Sequence, residues 1–437
     1  MNLSKKRIDA EILRLAIPAL GSLLAEPLYI LADTAVVGRL GTDRLAGLAL
    51  ASTILLVGYS IFIFLAYGTT AAVSRKLGAN DLAGAAHQAV QSLWLAFMIG
   101  VVVAAVFFIG SDNLLGWLGS KPDFHSFART YLKISLLGVP AMLVVLAGTG
   151  YLRGLQDTRT PLFVAVVSAV FNLVAEVILI YGFNFDIGAS ALTTVIAQYL
   201  SAGWYVYVIH RGIKQYSIGV KPDWHTIGQL GLVGRDLFLR TVALRGAIVA
   251  TTAAAARHGA TALGAHQLTF EIWNFAAMSL DAIAIAGQAM IGRFLGAGEL
   301  TSAKAVGTRM LQWGFAAGAF ALVAIVALHS FLPYWFTNDA QVAALAGSLL
   351  LVAAVAQPIN GLAFVLDGLL IGASDMTFLA KAMLIAAVGY LILVVLVVWQ
   401  NLAIQWLWWA FFGFMWLRFG VLYRRWRSGL WALTTSA

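Results

Sequence analysis

Long apolar runs separated by short polar stretches dominate the chain, and their form predicts helices rather than strands. The runs are continuous, rich in Ala, Leu and Gly, and show no strict alternation. About 20 apolar residues carry a helix across about 30 Å of hydrocarbon. Twelve such runs are predicted, at 12–37, 46–74, 87–110, 131–150, 161–183, 188–210, 236–256, 262–292, 306–330, 343–370, 378–399 and 403–423. The expected fold class is an all-α polytopic membrane protein.

The pattern occurs twice. A shift of 218 residues lays RKLGAND (75–81) over RFLGAGE (293–299) and GYLRGLQD (150–157) over GLLIGASD (368–375). The same shift, without a gap, pairs Arg39 with Arg257, Gly41 with Gly259, Trp117 with Trp335 and Pro140 with Pro358. Shared composition would not align glycines, prolines and charges in one register. The chain therefore divides into a six-helix lobe at 1–210, a cytoplasmic linker at 211–235 and a second six-helix lobe at 236–437. An even number of spans per copy makes the copies parallel, related by a pseudo-two-fold axis along the membrane normal. Parallel repeats of this kind mark secondary transporters, with substrate held between the halves.

Composition sharpens this picture. Of 437 residues, 61% are hydrophobic and 11% charged, against about 25% charged in soluble domains. Cysteine is absent, which excludes disulfides and thiolate metal sites. The net charge of +9 would suggest a nucleic-acid partner in a soluble protein; here its distribution orients the chain in a lipid bilayer, and no nucleic acid is expected. Nineteen Lys and Arg fall in segments on the N-terminal side of the membrane and six on the other, which predicts both termini in the cytoplasm and a plasma (inner) membrane location. The basic start, MNLSKKR, leads into a full-length span and does not read as a cleavable signal. Trp117, Trp335, Trp399 and the run WLWW (406–409) stand near span ends, where interfacial anchors belong.

Acidic residues inside the spans are the candidate chemistry, because a charge at the centre of the bilayer costs at least about 2.5–3.5 kcal/mol. Asp33, Glu176 and Thr194 lie at similar depth in spans 1, 5 and 6, and Asn172 shares the Glu176 face four residues earlier. Convergence of these four would make a polar site with two carboxyls, able to carry a proton or to hold a cation. Glu26 precedes Pro27, and Pro27 is expected to kink span 1. The second lobe does not copy the pair: the shift places Thr251 opposite Asp33. Its acids, Asp281 and Asp367, lie near the depths of Arg245 and Arg240, and two readings stand, structural ion pairs or a substrate or ion site. The seven histidines are scattered, with no metal-ligand spacing, and there is no phosphate-binding loop, so neither a metal nor ATP is expected.

At LADTAVVGRLG in span 1, NLVAEVILIYGF and GASALTTVIAQ in spans 5 and 6, LDAIAIAGQAMIGRFLGAG in span 8 and FVLDGLLIGASD in span 10, the chain resembles the multidrug and toxic compound extrusion (MATE) family, and most nearly its DinF-like branch. The resemblance covers nearly the whole chain. It implies that Asp33 is the coupling carboxylate, with Asn172, Glu176 and Thr194 completing its site. Span 5 of the family usually has Asp where Glu176 stands. Asp367 and Asp281 match acids of spans 10 and 8. The expected function is a proton- or Na⁺-coupled antiporter that exports small amphipathic or cationic compounds by alternating access, without any other cofactor. The alternative is a flippase for lipid-linked or polysaccharide precursors, which Arg240 and Arg245 keep open. No convergent nucleophile and base are found at one depth, so no enzyme is expected.

Overall fold

The structure is a computed structural model that describes residues 4–435. Its helices in chain order are α1 (Lys5–Gly38), α2 (Thr42–Phe62), α3 (Phe64–Gly78), α4 (Leu82–Trp117), α5 (Pro122–Leu136), α6 (Val139–Gly154), α7 (Arg159–Val177) and α8 (Gly188–Tyr216). Then follow α9 (Trp224–Ala256), α10 (Ala260–Gly296), α11 (Leu300–Leu328), α12 (Ala340–Gly372), α13 (Met376–Trp399) and α14 (Gln405–Ser428). A π-helical turn, Ile178–Gly182, continues α7. The chain is an all-helical membrane protein with twelve crossings. Length and hydropathy alone select ten helical segments, α2 and α3 counting as one, and eleven if α5 and α6 form one span. The twelfth, α14, has the length but carries four arginines and the WLWW run, which lower its hydropathy.

The 218-residue shift maps one set of helix ends on the other. Lys6–Gly38 falls on Trp224–Ala256, Thr42–Gly78 on Ala260–Gly296, and Pro122–Gly154 on Ala340–Gly372. Matched glycines explain why the register is kept. A Cβ on Gly150 would lie 2.5 Å from the Ala66 carbonyl oxygen; one on its counterpart Gly368 would lie 2.4 Å from that of Ala284. Gly100 meets Pro140 Cα at 2.5 Å and Gly318 meets Pro358 Cα at 2.7 Å in the same way. Backbones at this distance admit no side chain. Gly368→Leu is therefore expected to lower stability by about 1–3 kcal/mol or more, as overpacking does. Thermal denaturation in detergent against Gly389→Leu checks this, since Gly389 has only the end of the Leu417 side chain, at 3.6 Å, in reach.

The copies differ at one bend. The axes of α5 and α6 make an angle of 48° across Leu137 and Gly138, whereas α12 runs unbroken through Pro358. Both copies keep the proline, so the proline alone does not decide the break. Gly138 stands at the break, where an added Cβ would lie 1.9 Å from the Gln198 side chain of α8; its counterpart in the unbroken α12 is Ala356.

Two compact units are present. One is Gly21–Gly234; the other is Arg235 onward together with the first turns of α1, through Leu20. The linker expected at 211–235 is mostly helix, with only residues 217–223 between α8 and α9. The early turns of α1 join the second unit through side chains the repeat does not reveal. Arg309 clasps Asp9 in two hydrogen bonds of 2.6 and 2.8 Å, Trp313 Nε1 donates to Asp9 at 2.8 Å, and Arg293 pairs with Glu11 at 2.8 Å. Ile8, Ile12, Leu15 and Ala19 form the buried stripe of that segment.

Between crossings, Asp81 caps α4 by accepting from Gly84 N–H at 2.7 Å and binds Lys76 at 2.9 Å. The Lys76 ammonium and then the Gly84 amide hold its carboxyl below the usual range.

Candidate functional site: a buried carboxyl pair in the first unit

Four helices of the Gly21–Gly234 unit bring seven polar side chains together. From α1 come Tyr29 and Asp33, one helical turn apart. From α7 come Asn172 and Glu176, also four residues apart, and from α8 come Ser190 and Thr194 with the same spacing. Tyr131 of α5 completes the set. α1, α7 and α8 thus each offer two polar residues one turn apart, and α5 a single tyrosine.

The hydrogen bonds tie α1, α7 and α8 to each other. Ser190 Oγ donates to Asp33 Oδ1 at 2.6 Å. Asn172 Nδ2 donates to Thr194 Oγ1 at 2.9 Å, and the Tyr29 hydroxyl meets the same Oγ1 at 2.7 Å. The Tyr131 hydroxyl interacts with Asp33 and with Ser190. The structure therefore brings together all four residues singled out in this lobe, Asp33, Asn172, Glu176 and Thr194.

Glu176 is the anomaly. It is 0% exposed, and neither of its oxygens has a donor within hydrogen-bond geometry. It interacts with the Asp33 carboxyl and Ser190, and among the described residues no Lys or Arg acts on either acid. Two carboxyls can share a hydrogen bond only if one carries a proton, and two buried carboxylates side by side need a cation between them. The site can hold one positive charge and is poor without it. Asn172 Oδ1 is also buried without a donor, so three oxygens stand ready for a ligand.

Local structure shapes the rim. The π-helical turn starts two residues after Glu176, and Tyr181 of that turn donates to the Val36 carbonyl at 2.9 Å. Val36, Ile180 and Ala189 pack there as an apolar cluster on one side of the acids. A π turn widens the helix by one residue per turn and recurs at functional sites.

Other predicted residues lie elsewhere. α1 is helical without interruption across Pro27, and Glu26 is exposed. Asp367 of α12 accepts from Arg240 of α9 at 2.8 Å and from Arg418 of α14, all three buried. Asp281 is half-buried on α10. Among the described residues no cluster of three or more His, Cys, Asp or Glu could hold a metal ion. Tyr29, Ser190, Tyr131 and Arg418 were not singled out from the sequence. The i−4 spacing of Tyr29 to Asp33 and of Ser190 to Thr194 was a usable signal, as was the position of Arg418 inside the span at 403–423; Tyr131 left none.

The sequence profile of the MatE family matches residues 18–178 and 242–399, once in each half of the repeat. The chain belongs to the MatE family. Protein DETOXIFICATION 44, chloroplastic, of Arabidopsis thaliana is 33% identical over 448 residues, covering 99% of this chain and 85% of that protein. DNA damage-inducible protein F of Escherichia coli (strain K12) is 29% identical over 444 residues, covering 98% and 95%. A crystal structure of a MATE transporter in the bent conformation superposes with a TM-score of 0.88 at 20% identity, covering 98% and 97% of the two chains, and supports the fold. As a MatE chain with DinF among its relatives, this is a multi-pass membrane protein of a multidrug efflux transporter family and not an enzyme. The MatE match ends at 399, so α14 and Arg418 lie beyond it.

Proposed function

We propose that this MatE chain is a cation-coupled antiporter that exports small amphipathic or cationic compounds, and that Asp33 and Glu176 carry the coupling ion. The observation that carries this reading is Glu176, wholly buried, without a donor, and facing a second carboxyl. A proton entering the site is shared between the two carboxyls, removes their mutual repulsion and lets α1, α7 and α8 close on it. Loss of the proton leaves two charges that repel and draw in water, which loosens the same helices. Binding and conformation are then linked, because each ion state favours a different arrangement of α1. Pro27, six residues before Asp33 on the same helix, removes a backbone hydrogen bond where α1 would bend.

Na⁺ is the second reading, favoured by the donor-free oxygens of Glu176 and Asn172. A hard cation takes such oxygen ligands. The Lys and Arg bias supports a topology with both termini in the cytoplasm, and the reading puts the protein in the plasma membrane. A precursor flippase is less favoured, since Arg240 is engaged by Asp367 rather than offered to a pyrophosphate.

The test is efflux of a fluorescent cationic dye from proteoliposomes under an imposed pH gradient or an imposed Na⁺ gradient. Dye movement driven by one gradient and not by the other identifies the ion. Movement indifferent to both gradients refutes coupling.

A further inference from the structure

The last helix carries an aromatic face that neither the repeat nor the carboxyl site uses. Trp409, Phe412, Trp416, Phe419 and Tyr423 follow one another in steps of three and four, so they lie along one side of α14. Their rings are successive neighbours, with centroids 5.7, 6.2, 5.9 and 5.4 Å apart. At about 1.5 Å per residue the stripe is about 20 Å long. Interfacial aromatics gather at span ends, whereas these run through the middle of the helix as well.

Beside the lower part of this stripe lies an open groove of about 510 Å³. Leu311 and Phe315 of α11 line it on one side and Phe419 and Tyr423 of α14 on the other, together with Leu362 of α12. The volume is within the range of about 300–1,000 Å³ that small-molecule sites occupy. Two polar side chains of the lining are already engaged. Thr308 Oγ1 donates to the Lys304 carbonyl at 2.9 Å, and Gln312 Oε1 accepts from Arg309 at 2.6 Å. What the groove offers along its length is chiefly hydrocarbon and aromatic surface.

Its charge is at one end. α11 begins and α14 ends on the N-terminal side of the membrane, being the ninth and twelfth crossings. At that end Lys304 stands one turn before Thr308, and Arg427 one turn after Tyr423. The Arg427 guanidinium lies 5.9 Å over the Tyr423 ring and donates to its hydroxyl at 3.5 Å. Among the described residues neither cation has a carboxylate partner, while the neighbouring Arg425 is taken by Asp375 and Arg309 by Asp9.

We propose that this groove binds an anionic phospholipid, with an acyl chain laid along the α14 aromatic face and the phosphate held between Lys304 and Arg427. An apolar slot that runs along the helices and ends in two cations at headgroup depth matches that molecule end for end. The other occupants fit less well. An exported cation would meet like charge at the rim. A second copy of the chain, paired about an axis along the membrane normal, would set Lys304 and Arg427 against their own counterparts.

The experiment compares wild type with the double variant Lys304→Gln and Arg427→Gln. Binding of phosphatidylglycerol and of phosphatidylcholine to the delipidated protein is followed by native mass spectrometry, and the thermal midpoint by unfolding in detergent with and without each lipid. Wild type should retain phosphatidylglycerol in preference to phosphatidylcholine and melt higher with it. Each cation near an anionic lipid is worth about a factor of five, so the double variant should bind phosphatidylglycerol about thirtyfold more weakly, with phosphatidylcholine binding unchanged. Lys304→Arg with Arg427→Lys should keep the preference. Equal binding of the two lipids by wild type, or equal phosphatidylglycerol binding by wild type and the double variant, overturns the proposal. So does displacement of the lipid by a transported dye, which would make the groove a site for exported compounds. If the double variant does not fold, density in the wild type reconstituted in phosphatidylglycerol nanodiscs decides: an elongated lipid in the groove supports the proposal, and a groove without one overturns it.

Discussion

Asp33→Asn is expected to reduce gradient-driven dye transport to the level of protein-free vesicles while leaving the protein folded. Asparagine is nearly isosteric, still accepts from Ser190 Oγ, and replaces one of two carboxyls that repel when both are charged. Stability should therefore hold or rise, since an uncompensated buried charge is removed. What is lost is the ability of the pair to exchange a proton or hold a cation, so the ion gradient can no longer bias the conformation. The paired measurement is dye efflux under gradient and the thermal midpoint in detergent. Full transport by the variant would remove Asp33 from coupling; a fall in both readouts would mean that the residue serves the fold instead.

Asp367→Ala should have the opposite profile, a large loss of stability. One carboxylate oxygen of Asp367 accepts from both Arg240 and Arg418, all buried, and Arg418 lies near the Phe364 and Phe414 rings at 5.8 and 5.7 Å. Removing one partner of a buried ion pair costs about 3–5 kcal/mol, because the remaining charge stays in a medium that cannot solvate it. Replacing Asp367, Arg240 and Arg418 together by Leu and Met should recover most of that loss, as apolar substitutes for whole buried ionic clusters do. Urea or thermal unfolding of both variants checks this, with dye transport measured alongside. If the triple variant is stable and transports, the cluster is structural. If it is stable and silent, the charges belong to the substrate path. An Asp367→Ala protein as stable as the wild type would contradict the ion-pair account altogether.

How legible each part was depends on the distance over which its cause acts. The twelve crossings follow from local apolarity, and only α14 falls short by hydropathy, because tryptophan and arginine mask a run that is long enough. The repeat was readable from Gly150 and Gly368 or Pro140 and Pro358, since backbone contact between helices tolerates no drift at those positions. Asn172 and Glu176 could be linked by helical spacing, and the same rule would have found Tyr29 and Ser190 had one turn before each candidate been searched. Tyr131 sits on α5, before the bend at Gly138, and nothing in its neighbours marks it as facing the acids.

Local sequence, then, was enough for the number of helices, their duplication and the helical faces that carry the acids, because periodicity and glycine placement act within one helix or repeat in register. Tertiary structure alone decided the rest. It turned Glu176 toward Asp33 with no Lys or Arg of the described residues beside them, gave Asp367 a second arginine from 51 residues away, and put His266 beside Thr251 and Trp408. Those pairings are between side chains on different helices, and a rotation of any one helix by a single residue, about 100°, would break them without changing its apolar pattern enough to be noticed in the sequence.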